Sequence, residues 1–193
     1  MKTYCFAIVF LLMTFSMNAQ NNPLPYEQIP EPAKTYTAGS VVSRMIDGLG
    51  FRYYWATEGL TEKDLNYKPN EEARTTEQTI DHILGLSQTV INAVLGVPNE
   101  GPQPEMTFEE KRKKTLENLQ KASEIFKKET DLSKFSMVFK RGEKTTEYEF
   151  WYQINGPISD ALWHVGQVVS FRRSSGNPFP KGVSVLQGKR FQQ

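Results

Sequence analysis

Four segments of the chain repeat apolar residues at steps of three and four, and each segment is 18 to 24 residues long. They span residues 37–60, 76–95, 108–130 and 157–174. In the first segment the recurring apolar residues are Val41, Met45, Ile46, Leu49, Tyr53 and Ala56. This spacing places the apolar side chains along one face of an α-helix. The pattern therefore predicts four long helices that pack as a helical bundle, rather than a sheet-centred fold.

The ends of these helices carry their own signals. Thr75 with Gln78, and Thr107 with Glu110, have the spacing of a capping box, in which two side chains bind the free backbone N–H groups at a helix start. The sequence Gly96-Val97-Pro98 ends the second helix. Residues 61–70 are expected to form a loop, because Pro69-Asn70 opposes helix formation before it.

A short β-hairpin is predicted before the last helix. Residues 135–140 alternate apolar and polar side chains, Arg141-Gly142-Glu143 is a turn signal, and residues 145–150 can return as the second strand. Asn155-Gly156-Pro157 then interrupts the chain, with Pro157 at the first turn of the last helix. The expected fold class is all-α, a four-helix bundle with one hairpin and an irregular tail from residue 179.

The first nineteen residues have the features of a bacterial-type signal peptide. Lys2 is followed by an apolar run to Phe15 and by small residues before a cleavage position after Ala19. The alternative is an uncleaved N-terminal anchor, although the run is short for a membrane span. We therefore expect an exported protein, periplasmic or secreted, with no stable membrane insertion after cleavage.

Cleavage would leave a Pro-rich leader over residues 20–35 and a helical domain over residues 36–193. Loss of Lys2 reduces the 23 Lys and Arg to 22, which equals the 22 Asp and Glu. A chain with balanced charge has no general attraction to nucleic acid, so the basic run from Lys111 to Lys114 is interpreted as a solvated helix face. The only cysteine, Cys5, would be lost too, which excludes disulfides and thiolate chemistry.

The two histidines suggest a metal site. Asp160 and His164 lie one turn apart on the last helix, so both can point at one ion, and His82 on the second helix is the other histidine available. Imidazole and carboxylate ligands suit a divalent ion such as Zn, Ni, Fe or Mn. The alternative is a helix-surface hydrogen bond or charge pair between Asp160 and His164.

Two short motifs resemble the DinB/YfiT-like superfamily of four-helix bundles. The segment from His164 through Gly166-Gln167 to Val169, followed by Arg172-Arg173 and Gly176-Asn177-Pro178, is similar to the last-helix signature of that family. Residues 79–86, which include His82, are similar to the segment with its first metal-binding histidine. The resemblance covers about residues 41–179. It implies an up-down-down-up bundle, often a homodimer, with a divalent metal held by three histidines at one end.

By position, His82 and His164 match two of those three histidines, and Asp160 takes the place of the third. A carboxylate can replace imidazole as a ligand, with a changed metal preference, or the site can have lost its metal. Gln167 is a candidate to orient a metal ligand or to form an interhelical hydrogen bond. Gly166 is expected to permit close helix packing. The three tryptophans are expected in the core rather than around a pocket: Trp55, Trp151 and Trp163.

Together with the predicted signal peptide, the resemblance implies an exported, metal-dependent enzyme that acts on a small molecule by hydrolase or transferase chemistry, with the reaction unassigned. Thiol transfer, one activity of the family, fits an exported protein poorly. Two alternatives stay open. One is a non-catalytic, ligand-binding bundle with a degenerate metal site. The other is a structural module whose hairpin and Pro-rich leader contact a partner in the cell envelope.

Overall fold

The computed structural model describes residues 23–102 and 104–192, and the predicted signal peptide lies outside these ranges. The protein is mostly helical, with a small antiparallel hairpin. In chain order the elements are α1 (Ala38–Thr57), α2 (Glu62–Leu65), α3 (Thr76–Leu95), α4 (Phe108–Phe126), β1 (Met137–Arg141), β2 (Lys144–Tyr148), α5 (Trp151–Gln153), α6 (Ser159–Ser175), β3 (Val183–Ser184) and β4 (Lys189–Arg190). Within the described ranges, none of the helices combines the length and the apolar character needed to cross a bilayer.

The predicted helices and the hairpin are confirmed, with small changes at their ends. Both capping boxes form as expected, because the Thr75 and Thr107 hydroxyls accept the backbone N–H groups of Gln78 and Glu110. In the hairpin, Met137 lies opposite Tyr148, and Gly142 adopts the positive φ of 60° that the tight turn requires. The expected loop over residues 61–70 contains the one-turn helix α2, whose own capping box joins Thr61 and Asp64.

Helix α1 packs against α4 in the opposite direction. At the start of α1, Gly39 lies so close to α4 that a Cβ there would overlap the carbonyl oxygens of Phe126 and Glu129. At the other end of α1, the Arg112 Nε donates a hydrogen bond of 2.9 Å to the Thr57 hydroxyl. The start of each helix therefore meets the end of the other.

Helix α3 runs beside α4 in the same direction. Near both starts, Lys111 Nζ lies 2.8 Å from a carboxylate oxygen of Asp81. Farther along, the Asn118 amide donates to the Ser87 hydroxyl at 3.2 Å. Helix α6 in turn packs on α3 and on α1, so the four long helices surround a common core.

The core is apolar and lies between these helices. Periodicity correctly predicts the buried side chains of Ile46, Leu49, Tyr53 and Ala56 on α1, but Val41 and Met45 at the start of the same pattern are exposed. The fully buried members contributed by the other helices include Ile80, Ile83, Leu116, Leu119, Phe126 and Val168.

The approach to α6 differs from the prediction. The helical path begins earlier, at Trp151, and passes through a π-helical turn over Ile154–Ile158 before α6 starts at Ser159. The predicted interruption is present as a kink at Gly156, whose ψ of −107° is not helical. The Ser159 hydroxyl donates to the Ile154 carbonyl at 2.5 Å, whereas Pro157 within the turn has no N–H to donate. A π-helical turn inserts one residue and so rotates the following helix face.

The Pro-rich leader packs on α1. Tyr26, whose φ is 74°, is buried against Gly50 and donates a hydrogen bond of 3.1 Å to Asp47. The Trp55 indole donates to the Glu27 carbonyl at 3.1 Å, and the Ile29 N–H donates to the Gly188 carbonyl at 2.8 Å. The leader therefore joins α1 to the tail, in which β3 and β4 form a two-residue antiparallel pair.

Candidate metal centre

His82 lies in the second turn of α3, at the boundary between the apolar face and solvent. Its neighbours Ile80 and Ile83 are buried in the core, whereas the imidazole is one-third exposed. Its other neighbour, Asp81, is bound to Lys111 on α4. Burial alone would lower the pKa of Lys111, but hydrogen bonds to Asp81 and Glu77 outweigh it and raise that pKa. This contact joins α3 to α4 beside His82. Asp81 therefore binds Lys111 and does not point at His82.

Asp160 and His164 lie on α6, facing His82. Asp160 is in the first turn of α6, which continues from the π-helical turn before it. His164 is one turn later, so both side chains project from the same face. Next to them, Ala161 and Val165 are buried in the interface with the rest of the fold, which fixes the rotation of α6.

The side chains of His82, Asp160 and His164 come together, as predicted from the sequence. The carboxylate of Asp160 lies between the imidazoles, with Oδ2 3.0 Å from His82 Nε2 and Oδ1 3.2 Å from His164 Nε2. The two rings are nearly perpendicular, with centroids 4.6 Å apart. One donor atom from each residue lies within 4.8 Å of the others. Since ligands bound at ~2.0–2.2 Å can be up to about 4.4 Å apart, a small side-chain adjustment would let all three contact one ion.

Gln167 orients His164. Its Oε1 lies 2.6 Å from His164 Nδ1, on the side of the ring away from Asp160. When Nδ1–H donates to this oxygen, the Nε2 of a neutral imidazole carries a lone pair, which faces a carboxylate oxygen of Asp160. Two acceptors at this distance repel unless a proton or a cation lies between them. Hydrogen bonding of the distal nitrogen is the usual support for a histidine that ligates a metal.

The site lies at the surface of the α3–α6 interface. The side chains of His82, Asp160 and His164 are 33%, 36% and 15% exposed. Two imidazoles and one carboxylate would occupy three positions around an ion. Because the site is partly exposed, its remaining positions would be accessible to water or a small ligand. The residues present therefore fit a divalent ion at an open site.

Several other sequence-based expectations are wrong. Nothing lies within 4 Å of a Cβ built on Gly166, so this glycine does not serve close helix packing. Trp55 is in the core as expected, but Trp151 and Trp163 are 69% and 73% exposed. Helical spacing alone could not separate them, because it records which residues share a face and not whether another segment covers that face.

Comparison with known proteins identifies no relative. Searches against protein-family models, curated proteins and solved structures returned no match. The resemblance to the DinB/YfiT-like superfamily therefore stays a sequence-based prediction, carried by the motifs around His82 and His164.

Proposed function

We propose that this chain is an exported, DinB-like metalloenzyme. One divalent ion would be held by His82, Asp160 and His164, and the substrate would be a small molecule cleaved by hydrolysis. The observation that carries the proposal is the meeting of two imidazoles and one carboxylate, from α3 and α6, with donor atoms within 4.8 Å of one another.

The directions of the helices support a four-helix bundle of up-down-down-up topology. If α1 points up, α4 points down, since the start of α1 meets the end of α4. Helix α3 then points down, because the Lys111–Asp81 contact joins the starts of α3 and α4. Helix α6 points up, because the Arg172 guanidinium near its end reaches the carbonyls of Trp55 and Ala56 at the end of α1. This is the order of directions that the family resemblance implies.

The donor set supports a divalent ion of borderline or harder character. Neutral imidazole suits Zn, Ni and Fe, and a carboxylate extends that range to Mn. The hydrogen bond from His164 Nδ1 to Gln167 presents Nε2 as a ligand atom. The proposal therefore includes Asp160 as a working ligand at the position where the family has histidine.

The exposure of the site supports hydrolysis. A divalent ion at an open site lowers the pKa of bound water and polarises a carbonyl or phosphoryl oxygen. The residues of this chain would hold the ion on one side and leave the other side for water and substrate. Thiol chemistry is disfavoured in the mature chain, because cleavage after Ala19 would remove Cys5.

A second function is favoured by the same distances. Asp160 can accept a hydrogen bond from each imidazole, at 3.0 and 3.2 Å, if both rings present an Nε2–H to it. For a neutral His164 this requires the Gln167 amide to turn, so that its NH2 group and not its oxygen faces Nδ1. In that case the three residues satisfy one another and only join α3 to α6, as expected of a non-catalytic binding bundle. Metal content separates the two functions.

The deciding experiment is elemental analysis of the purified mature protein after incubation with Zn, Ni, Fe or Mn and removal of free ion. We expect about one equivalent of metal in the unchanged protein and a large loss in His82→Ala, Asp160→Asn and His164→Ala. Asp81→Asn is the matched control, since this carboxylate is adjacent to His82 but binds Lys111. Absence of metal from the unchanged protein, or equal metal in all variants, would favour the non-catalytic bundle.

Activity is tested separately, with a panel of small esters, amides, lactones and phosphoesters. We expect hydrolysis of at least one class by the metal-loaded protein, loss of that activity on chelation, and its recovery when the ion is returned. Metal binding without any such activity would retain the metal site and reject the enzymatic part of the proposal.

A further inference from the structure

A large groove lies beside the start of α1, away from the candidate metal centre. It encloses about 830 Å³ between the first turns of α1, the loop over residues 130–133 and the segment over residues 149–154. This volume is within the range of about 300–1,000 Å³ that small-molecule sites occupy. We call it the α1 groove. It shares no lining residue with the site formed by His82, Asp160 and His164.

The α1 groove has an apolar floor and an exposed aromatic rim. Val42, Leu132 and Phe150 form the floor and are buried, whereas Val41 and Trp151 are exposed along the edges. An indole that is 69% exposed loses the stabilisation that burial would give it. Its position at the mouth of an apolar groove is typical of a side chain that covers a bound ligand.

The charged side chains that line the α1 groove share one sign, and the nearby Lys134, which acts on Asp131, is itself paired with Glu129 at 2.7 Å. Among the described residues that line it, Asp131 and Glu149 are the charged ones, and both are acidic. Neither forms an ion pair within the described ranges. The Ser133 backbone N–H donates to Asp131 Oδ1 at 2.9 Å, and the hydrogen bonds from Ser133 lower the pKa of Asp131. Asp131 is therefore ionised at neutral pH.

At the start of α1, backbone N–H groups that could bind an anion are already hydrogen-bonded within the chain. The Thr37 hydroxyl accepts the Ser40 N–H at 3.1 Å, and the Ser40 hydroxyl in turn accepts the Thr37 N–H at 2.8 Å. The capping box thus occupies backbone donors that an anion would otherwise bind. The two carboxylates at the rim therefore favour a ligand with positive charge.

We propose that the α1 groove binds a cationic amphiphile, a small molecule with an apolar body and one ammonium group. The apolar body would lie on Val42, Leu132 and Phe150, where it is removed from water. The ammonium group would lie at the rim, which Asp131, Glu149 and Trp151 all line, and an indole ring attracts cations. The α1 groove is thus a ligand site that does not depend on the metal centre.

The test is calorimetric titration of the mature protein with three ligands that share one chain, all below their micelle concentrations. Decyltrimethylammonium carries the positive charge, decyl sulfate the negative charge, and decanediol none. We expect the ammonium compound to bind at least about tenfold more tightly than the other two, and its affinity to fall as salt is added.

Variants locate the binding. Trp151→Ala should weaken binding of the ammonium compound about tenfold, and the double variant Asp131→Asn with Glu149→Gln about fivefold or more. Asparagine at position 131 keeps an oxygen for the Ser133 N–H, so the loop should retain its conformation. The matched controls are Trp163→Ala, which removes the other exposed tryptophan, and Glu105→Gln with Glu109→Gln, which removes two exposed carboxylates elsewhere.

Circular dichroism should show that every variant is folded. The proposal is overturned if none of the three ligands binds, or if decyl sulfate binds as tightly as the ammonium compound. It is overturned also if the control variants weaken binding as much as the groove variants do. Loss of affinity in Trp151→Ala alone, with no effect of the two carboxylates, would indicate a neutral ligand and reject the cationic one.

Discussion

The imidazole Nε2 of His82 lies 3.0 Å from Oδ2 of Asp160, although 78 positions separate the two residues in the chain. The other oxygen of the same carboxylate faces His164 Nε2 at 3.2 Å. Helices α3 and α6 thus place two imidazoles and one carboxylate around one point that is partly open to solvent. This relationship underlies the proposed metal chemistry.

Gln167 should control how tightly this point binds metal. In Gln167→Ala, His164 Nδ1 loses its partner at 2.6 Å, so the imidazole is less firmly oriented and the metal affinity should fall about 10- to 100-fold. Titration with a competing chelator measures the affinity. Gln120→Ala on the exposed face of α4 is the control and should bind as the unchanged protein does. Equal affinities in both variants would show that Gln167 has no positioning role.

The leader should detach if the space at Gly50 is filled. A methyl group at this position would overlap the Tyr26 ring, so Gly50→Ala should destabilise the protein by about 1–3 kcal/mol. Urea denaturation measures the stability, and limited proteolysis should show faster cleavage before α1. Gly85→Ala on α3 is the matched control, because nothing lies within 4 Å of its added Cβ. That change should be neutral or slightly stabilising, and a stability loss equal to that of Gly50→Ala would contradict the prediction.

Asp64 should make the protein sensitive to acid. Burial acts to raise its pKa, but hydrogen bonds from Asn177, Ser175 and Thr61 outweigh burial and lower the pKa from 3.8 to about 2. Because the folded-state pKa is below the unfolded one, the stabilisation is present above about pH 4 and is lost as the pH falls towards 2. Thermal unfolding across this range should therefore show a smaller loss of stability in Asp64→Asn.

Asp47 provides the comparison for this pH dependence. It is also buried, but burial is the dominant influence on Asp47 and its pKa is raised despite hydrogen bonds from Ser123 and Tyr26. Asp47→Asn should therefore leave the loss between about pH 4 and 2 in place. If the unchanged protein and Asp64→Asn lose stability in parallel, the assignment to Asp64 is wrong.

Arg172 should be essential for stability rather than for chemistry. Its side chain is 2% exposed, and Nη1 donates to the carbonyls of Trp55 and Ala56, both at 3.0 Å. Arg172→Met leaves these carbonyls without a donor and should cost about 3 kcal/mol. The neighbouring Arg173 is exposed, so Arg173→Met should change stability by less than about 0.5 kcal/mol. Chemical denaturation compares the two variants, and similar midpoints would contradict this role.

Much of the fold could be predicted because it depends on local sequence. The capping boxes at Thr75 and Thr107 depend on residues three positions apart, and the hairpin turn depends on Gly142. The exposed Val41 and Met45 were not predicted, because the same periodicity describes both a covered and an uncovered helix face. The π-helical turn was missed as well, since an Asn-Gly-Pro sequence signals a break and not the hydrogen bonds that continue across it.

The candidate site likewise has one part that local sequence predicts and another that it does not. Asp160 and His164 could be placed together from the sequence, because four residues make just over one helical turn. The nearness of His82 could be proposed, although no local rule requires it, and the covering of α1 by Tyr26 was not foreseen. Such contacts depend on how α6 is rotated against α3 and on where the leader packs.

The sequence by itself determined the helices, their caps and the pair on α6, because these rest on interactions within a turn or two. The tertiary structure alone decided which distant groups meet, because core packing sets the distance and rotation between helices.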